Sequence, residues 1–336
     1  TPRHFSGNIR RILYQCSILY PAESEKKGII MRITVTGGAG FIGSHLVDRL
    51  IEDGHTVQVI DNLYTGNKEF VHSKAQFVEL DIRDPKLYSV LEEFRPDYIF
   101  HEAAQTEVST SMSDPMLDCD INLIGLINLL NAAVKLDVKK FLMPSSAAVY
   151  GNLDTLPLNE EMIGNPSSFY GLTKLTTEHY LRIYHEAFGL PYICYRYSNV
   201  FGPRQGNGGE GGVISIFAKA IVQGSPIIIY GDGKQTRDFI YVDDVVEANI
   251  LGMQHQVTGI YNVSTGISSS VNLLVDEFRN ISGKDIEVVY DKPRLGDIRD
   301  SVLATDKSEK ELLFTAKYNL HDGLIKTYEY FKTVEG

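Results

Sequence analysis

The sequence lacks tryptophan and has only three cysteines, Cys16, Cys119 and Cys194. They are far apart and show no Cys-x-x-Cys spacing, which argues against a disulfide scaffold and against a zinc site. No apolar run approaches the roughly 18 residues of a membrane span, so no membrane association is expected. Acidic residues outnumber basic ones by 43 to 32, and the net charge of −11 argues against nucleic acid as a partner. We therefore expect a cytoplasmic protein without a metal, in which an anionic small ligand needs only a few local cations.

Residues 1–30 show little strand or helix periodicity and are basic at Arg3, Arg10 and Arg11. A regular strand pattern begins only at Met31. We interpret residues 1–30 as an N-terminal extension, which is a tag, an upstream translated segment or a transit segment, and exclude it from the fold prediction.

From Met31 onward, short apolar strands alternate with helical patterns. The predicted strands are Arg32–Thr36, Thr56–Asp61, Gln76–Leu80, Asp97–His101, Lys139–Ser145 and Tyr192–Asn199. The predicted helices are Gly40–Asp53, Met116–Leu136, Tyr170–Phe188, Val213–Gln223 and Val271–Ile281. This alternation predicts an α/β fold with a doubly wound, Rossmann-type parallel sheet and a smaller C-terminal α/β lobe. We expect a first domain over residues 31–200, with 235–264 contributing, and a second lobe formed mainly by 201–336.

A glycine-rich turn lies between the first strand and the first helix. Gly37, Gly40 and Gly43 have the spacing G-x-x-G-x-x-G, which suits a tight turn, a close approach to a diphosphate, and close helix packing. The helix N-terminus then favours the negative charge of the diphosphate. Asp61 ends the second strand, where its carboxylate accepts both ribose hydroxyls and repels a 2′-phosphate, so the pattern predicts NAD rather than NADP. Asp81 is either an adenine contact or a simple turn residue.

A second pattern is Tyr170-Gly-Leu-Thr-Lys174, which puts a phenol and an amine on one helix face. The ammonium is expected to lower the phenol pKa from about 10, so that Tyr170 can remove a proton from an alcohol. Taken alone, the spacing Tyr-x-x-x-Lys often occurs by chance and does not indicate an active site. Ser146, at the end of the fifth predicted strand, supplies a hydroxyl where ligands of open parallel sheets bind.

Several longer segments carry a family resemblance. They are GGAGFIG at 37–43, HEAAQ at 101–105, SSAAVYG at 145–151, YGLTK at 170–174, RYSNVFGPRQG at 196–206, GDGKQTRDFIYVDD at 231–244 and RLGDIRD at 294–300. Together they resemble the extended short-chain dehydrogenase/reductase family, and within it the nucleotide-sugar 4-epimerases of the UDP-glucose/UDP-N-acetylglucosamine type. The resemblance runs from Met31 to about Phe331.

The resemblance implies a role for each matching residue. Ser146, Tyr170 and Lys174 match the catalytic triad of serine, tyrosine and lysine. Positions that match NAD-binding residues are Gly37, Gly40, Phe41, Ile42, Gly43, Asp61, Asn62, Asp81, Ile82, Ala103, Tyr170, Lys174 and Tyr197. Positions that match substrate-binding residues are Ser146, Asn199, Tyr230, Arg237, Arg294, Asp297 and Ser301. Arginine side chains suit a diphosphate and overcome the acidic net charge locally.

Departures from related activities narrow the reaction. Sugar 4,6-dehydratases of the family carry an Asp-Glu pair where this chain has Ala147 and Ala148, and the UDP-glucuronate decarboxylases carry a glutamate near Ala148. Both activities are therefore disfavoured. Ser301 matches the residue that limits the sugar pocket, and its small side chain leaves volume for a 2-acetamido group.

We therefore predict NAD-dependent inversion of C4 of a UDP-hexose, through a transient 4-keto sugar. UDP-glucuronate 4-epimerization, another nucleotide-sugar oxidoreduction, and a non-catalytic NAD-binding protein remain alternatives. The helices around 119–136 and 170–188 have apolar faces, and the resemblance implies that they pair two copies in a homodimer.

Overall fold

The apolar strands pair into one sheet in a computed structural model, which describes residues 29–206, 211–293 and 298–336. In these residues the strands are β1 Arg32–Thr36, β2 Thr56–Asp61, β3 Gln76–Glu79, β4 Tyr98–His101, β5 Lys140–Ser146, β6 Tyr192–Tyr197, β7 Asn199–Phe201, β8 Ile227–Tyr230, β9 Thr236–Arg237, β10 Phe239–Tyr241, β11 Gly259–Val263, β12 Ser269–Ser270 and β13 Val288–Asp291. Seven of these described strands form a parallel sheet in the order β11–β6–β5–β4–β1–β2–β3. The predicted fold class is confirmed.

Helices cover both faces of this sheet. The helices of the described residues are α1 Phe41–Glu52, α2 Leu87–Phe94, α3 Val108–Ser113, α4 Pro115–Lys135, α5 Phe169–Phe188, α6 Val213–Gln223, α7 Val242–Gln254, α8 Val271–Ser282 and α9 Leu320–Glu335. The apolar faces of α1 and α7 pack on one side of the sheet, and those of α2, α4 and α5 pack on the other. Both faces of each central strand are therefore buried, as a parallel sheet requires.

Helix ends follow local chemistry. Helix α5 begins after Ser168, whose hydroxyl accepts the backbone N–H of Gly171, and it ends at Gly189 in the left-handed conformation. The cap at Ser168 fixes where the helix starts, and so sets the position of Tyr170 and Lys174 within its first two turns. The cap at Gly189 fixes where it ends.

The C-terminal elements build a second apolar core. Helices α6, α8 and α9 pack around the parallel pair β8 and β13, with Phe217, Phe278 and Phe331 fully buried among them. Residues Met31–Gly336 form one compact unit. The division into two lobes remains a prediction.

Helix α4 has the predicted length of 21 residues but is more apolar than the sequence analysis suggested. An 18-residue window within it has a mean hydropathy of 1.4, and so it has the length and composition of a membrane span. The expectation that no apolar run approaches that length was therefore wrong. Asp118 and Asn122 on this helix are buried in hydrogen bonds with the rest of the protein, which makes α4 a helix of the core. The proposed N-terminal extension lies, up to residue 28, outside the described residues.

Candidate active site

The strand order reverses direction between β1 and β4, because β2 and β3 lie on one side of β1 and β4, β5 and β6 on the other. In open α/β sheets, ligands bind outside the carboxyl ends of the strands at such a point. Thr36 of β1 is in register with His101 of β4, so the residues that follow these two strands meet at the same edge.

The glycine loop is packed too tightly for larger residues. Gly37 has a φ of +72°, and a Cβ there would lie 2.5 Å from the backbone nitrogen of Ala103. A Cβ on Gly43 would lie 2.2 Å from the Gly37 carbonyl oxygen. Gly40 differs, because its φ is −84° and its nearest neighbour would be that same oxygen at 3.1 Å. The loop therefore needs glycine at 37 and 43 for its own packing, whereas Gly40 keeps space open at the start of α1.

Carboxylates stand beside this loop. Asp61 accepts the backbone N–H of Ala39 at 3.0 Å and that of Leu63 at 2.8 Å, and burial raises its pKa above the usual value. Asp81 accepts Asn62 at 2.8 Å and two nitrogens of Arg83, which hold its pKa well below the usual range. The structure thus brings Asp61, Asn62 and Asp81 together at the ends of β2 and β3. Ile82, beside them, packs against Gly125 of α4.

Ser146, Tyr170 and Lys174 also come together at this edge. Ser146 ends β5, accepts the backbone N–H of Ala148 at 3.1 Å and hydrogen-bonds Tyr170. The amine of Lys174 lies 6.0 Å from the centre of the Tyr170 ring and donates to the carbonyl oxygen of Pro144 at 3.1 Å. A hydroxyl, a phenol and an amine are thus arranged around one point of the cleft.

The direction of the Tyr170 pKa differs from the sequence prediction. Burial raises this pKa above 10, the hydrogen bond from Ser146 lowers it, and the charge of Asp118 raises it again. Lys174, whose amine is directed at Pro144 and whose own pKa is lowered by burial, is not among the causes of the shift at Tyr170. The chain alone therefore keeps Tyr170 protonated.

A buried polar network behind the tyrosine was not predicted. Asp118 accepts hydrogen bonds from Gln105, Asn122 and Thr173, and Asn122 also exchanges hydrogen bonds with the backbone of Gln105. Asn122 lies in a π-helical turn over Asp120–Ile124, a distortion that is frequent at functional sites. The available signal in the sequence was a pair of polar residues, Asp118 and Asn122, four apart in a largely apolar helix.

A buried ion pair supports the strand that carries Ser146. Glu178 of α5 receives Arg196 of β6 at 2.9 and 2.7 Å and the hydroxyl of Ser145 at 2.6 Å. Both charged side chains are almost fully buried. The pair therefore connects α5, β5 and β6 directly beneath the candidate site.

The predicted substrate residues are spread over more elements than Ser146, Tyr170 and Lys174. Asn199 begins β7 and is exposed, Tyr230 ends β8, and Arg237 of β9 donates to the carbonyl oxygens of Thr236 and Arg299. Ser301 is buried, and its backbone N–H donates to Thr236, next to Arg237. The structure brings Ser301 and Arg237 together, whereas Arg294 and Asp297 lie outside the described residues.

Two observations test whether the edge fits a dinucleotide. The backbone around the loop leaves no room for a Cβ on Gly37 or Gly43, whereas the position of Gly40 leaves the start of α1 open to a phosphate. In the described part of the chain, Glu102 Oε1 is buried without a hydrogen-bond partner beside the loop. Tyr197 is also there, buried, with its hydroxyl accepting the amide of Asn249 at 2.6 Å. The residues present therefore fit NAD.

Comparisons with known proteins give the same assignment. The model of the NAD dependent epimerase/dehydratase family matches residues 33–264. The UDP-glucose 4-epimerase of Mycolicibacterium smegmatis is 40% identical over 309 residues, which cover 90% of this chain and 99% of that protein. The structure of the Thermotoga maritima UDP-glucose 4-epimerase with UDP-glucose superposes with a TM-score of 0.88 at 43% identity, covering 90% of this chain and 99% of that one. The UDP-N-acetylglucosamine 4-epimerase of Methanobrevibacter ruminantium, in complex with UDP-N-acetylmuramic acid, has a TM-score of 0.87 at 36% identity, covering 91% and 99%.

Proposed function

This chain belongs to the NAD dependent epimerase/dehydratase family, and we propose that it inverts C4 of a UDP-hexose. The observation that carries the proposal is the meeting of Ser146, Tyr170 and Lys174 at the sheet edge where the glycine loop lies. The similar proteins are UDP-sugar 4-epimerases over nearly their whole length. The protein is an NAD-dependent UDP-sugar 4-epimerase, an isomerase.

In this mechanism Tyr170 takes the proton of the sugar 4-hydroxyl, C4 loses a hydride and later regains it on its opposite face, and Tyr170 then returns the proton to the same oxygen. Ser146 hydrogen-bonds the same oxygen and holds it against the phenol. Lys174 would hold the ribose of the cofactor, and the carbonyl oxygen of Pro144 fixes its amine in place. When bound, NAD supplies the hydride acceptor for C4 and a positive charge beside Tyr170. Contacts to the UDP part stay fixed while the 4-keto sugar rotates to present its opposite face. Binding energy remote from C4 thereby keeps the 4-keto intermediate in the site.

Water elimination is disfavoured by what lies next to Ser146. Ala147 and Ala148 form a short 3-10 turn and carry no acid or base. A 4-keto sugar formed here therefore has no neighbouring carboxylate on this turn to remove a second proton, which favours return of the hydride over loss of water.

We assign the UDP contacts to Asn199, Tyr230 and Arg237, together with Arg294 and Asp297. Ser301 borders the sugar, and its small side chain favours acceptance of UDP-N-acetylglucosamine alongside UDP-glucose. Residues 31–200 with 235–264 are proposed to bind NAD, and the rest of 201–336 to bind the sugar nucleotide.

We further propose a cytoplasmic homodimer without nucleic-acid or membrane partners. Support for the dimer comes from exposed apolar side chains along α4 and α5, at Met116, Ile124, Leu172 and Ile183. A monomer measured by sedimentation at micromolar concentration would contradict this assembly.

The test of the function is incubation of the purified protein with UDP-glucose, UDP-galactose and the two 2-acetamido analogues. We expect interconversion of each C4 pair without net formation of reduced cofactor. UDP-glucuronate is assayed in parallel, since its 4-epimerization is the alternative. Stoichiometric consumption of reduced cofactor would instead indicate a one-way reductase.

A further inference from the structure

Glu102 occupies the point where the strand order reverses. It follows β4 directly, and its backbone N–H donates to the carbonyl oxygen of Thr36 at 2.9 Å. A Cβ on Gly37 would lie 2.6 Å from its carbonyl carbon. Glu102 therefore stands against the glycine loop, and the mechanism above gives its side chain no role.

The Glu102 carboxyl has few partners for a charged group in this position. Its Oε1 atom is buried and without a hydrogen-bond partner among the described residues. Tyr197 hydrogen-bonds the carboxyl, and the Tyr197 hydroxyl in turn accepts the amide of Asn249 at 2.6 Å. A buried acceptor without a hydrogen bond lowers the stability of the folded protein. Its presence at the cofactor cleft therefore points to a role in the site.

The groups around Glu102 come from three neighbouring elements, α5, β6 and α7. Lys174 of α5 acts on it through its charge, and Tyr195 and Tyr197 of β6 border it, with Asn249 of α7 behind Tyr197. Burial raises the pKa of Glu102 to about 7, against the lowering by Lys174 and Tyr197. The charge of this carboxyl therefore changes close to neutral pH.

The nicotinamide ring of the cofactor would bind on the side of the site where this carboxyl lies. Tyr170 and Ser146 face the oxygen on C4, and the ring that exchanges hydride with C4 must lie beside them. Lys174, from the same group of residues, interacts electrostatically with Glu102 in both directions. The oxidised ring carries a positive charge and the reduced ring is neutral, so that a nearby carboxylate stabilises the oxidised form selectively.

We propose that the Glu102 carboxylate makes the site bind the oxidised cofactor in preference to the reduced one, and so favours return of the hydride from the reduced cofactor to the 4-keto sugar. The inference rests on the proposed function, because it requires NAD at this edge of the sheet. In this proposal Glu102 acts on the cofactor through its negative charge and transfers no proton. Tyr170 remains the general acid and base.

The test is a binding measurement that needs no turnover. The dissociation constants of NAD and NADH are measured by calorimetry at pH 6 and pH 8 on the full chain freed of nucleotide. In the wild type we expect the ratio of the NADH to the NAD constant to rise by about threefold or more between these values, as the carboxyl ionises. In Glu102→Gln the ratio stays flat at the wild-type pH 6 value, and in Glu102→Asp, which retains a carboxyl, it still rises.

The matched control is Glu93→Gln, an exposed glutamate of α2, which leaves the rise intact. An equal rise in Glu102→Gln, or no rise in the wild type, overturns the inference while leaving the proposed function standing. Failure of the wild type to bind either form of the cofactor overturns the proposed function as well. Thermal unfolding of each variant confirms that the binding data come from folded protein.

Discussion

The hydroxyl of Thr173 donates to the carboxylate of Asp118 over 2.8 Å, and this hydrogen bond joins the helix that carries Tyr170 to helix α4. Thr173 lies between Tyr170 and Lys174 on α5, with its side chain buried. Asp118 is fully buried and also holds Gln105, from the loop after β4. One carboxylate therefore fixes the catalytic helix relative to the strand edge on which the cofactor is expected.

The first prediction concerns this connection. Thr173→Val removes the hydroxyl with little change of shape, so that α5 loses its hydrogen bond to Asp118 while its packing remains. We expect kcat to fall about tenfold, corresponding to ~1.4 kcal/mol of transition-state stabilisation, with KM for the UDP-sugar nearly unchanged. Thr176→Val on the same helix is the control, because its hydroxyl bonds only the helix backbone. Equal kinetics of the two variants would show that the connection does not position Tyr170.

The second prediction separates two glycines of the loop. Gly43→Ala forces a Cβ against the backbone oxygen of Gly37 and should cost about 1–3 kcal/mol of unfolding free energy. Gly40→Ala adopts its φ of −84° without strain and should leave stability nearly unchanged, yet weaken NAD binding by about tenfold or more, ~1.4 kcal/mol. Thermal unfolding without nucleotide and calorimetry with NAD measure the two effects. Unchanged NAD affinity in Gly40→Ala would contradict the placement of the diphosphate.

Much of this arrangement follows from sequence pattern, because a parallel sheet is built from local rules. Strand β2 was predicted at its observed bounds, since a short apolar run between two turn signals is typical of a buried strand in an α/β chain. Helices α2, α3, α7 and α9 were missed, and in α7 the acidic residues at its start, Asp243 and Asp244, mask its apolar periodicity. The spacing of Tyr170 and Lys174 predicts a shared face and does so correctly.

The parts that the sequence does not predict depend on long-range burial. Raising or lowering of a pKa depends on how much of a side chain is desolvated, and the direction for Tyr170 was therefore wrong. Apart from Asn122, the partners of Asp118 lie 13 and 55 positions away, at Gln105 and Thr173, and no local pattern encodes such contacts. Glu102 appears in the sequence simply as one residue of the HEAAQ segment.

The third prediction tests the proton carrier. Tyr170→Phe removes the phenol, and turnover should fall by about 10²–10⁴-fold because general acid and base catalysis is lost. UDP-sugar affinity should remain, since the UDP contacts lie elsewhere, and calorimetry measures it. Tyr184→Phe on the same helix loses only an exposed hydrogen bond to Asn131 and serves as the control. Because burial raises the pKa of Tyr170, wild-type kcat is expected to rise with pH. Full activity of Tyr170→Phe would remove the mechanism.

The fourth prediction concerns the sugar pocket. Ser301 is buried beside β9, and tyrosine at this position would occupy the space that we assign to a 2-acetamido group. Ser301→Tyr should lower kcat/KM for UDP-N-acetylglucosamine by about tenfold or more, ~1.4 kcal/mol, while turnover of UDP-glucose continues. Ser301→Ala should accept both sugars. Equal loss on both substrates in Ser301→Tyr would mean that the residue does not border the sugar.

The last prediction uses His101, which ends β4 and pairs with Thr36 across the strand reversal. Its Nδ1 atom lies 2.7 Å from the Thr36 hydroxyl, and burial, assisted by the charge of Lys174, lowers its pKa to about 3. The ring is therefore neutral in the folded protein. In the unfolded chain the same group takes up a proton near pH 6.5, so the stability it contributes is present above that value and is lost as the pH falls towards 3.

This difference gives a pH dependence that a single substitution removes. Between pH 7 and pH 5 the unfolded state gains a proton that the folded state does not, which should reduce the unfolding free energy of the wild type by about 2 kcal/mol more than that of His101→Asn. Asparagine can retain a hydrogen bond to Thr36 but has no titrating group. Urea unfolding at the two pH values measures the difference, and His179→Asn, an exposed position on α5, should behave like the wild type. If His101→Asn loses as much stability as the wild type over this interval, His101 is not buried as a neutral ring, and the packing of β4 against β1 has to differ from that described.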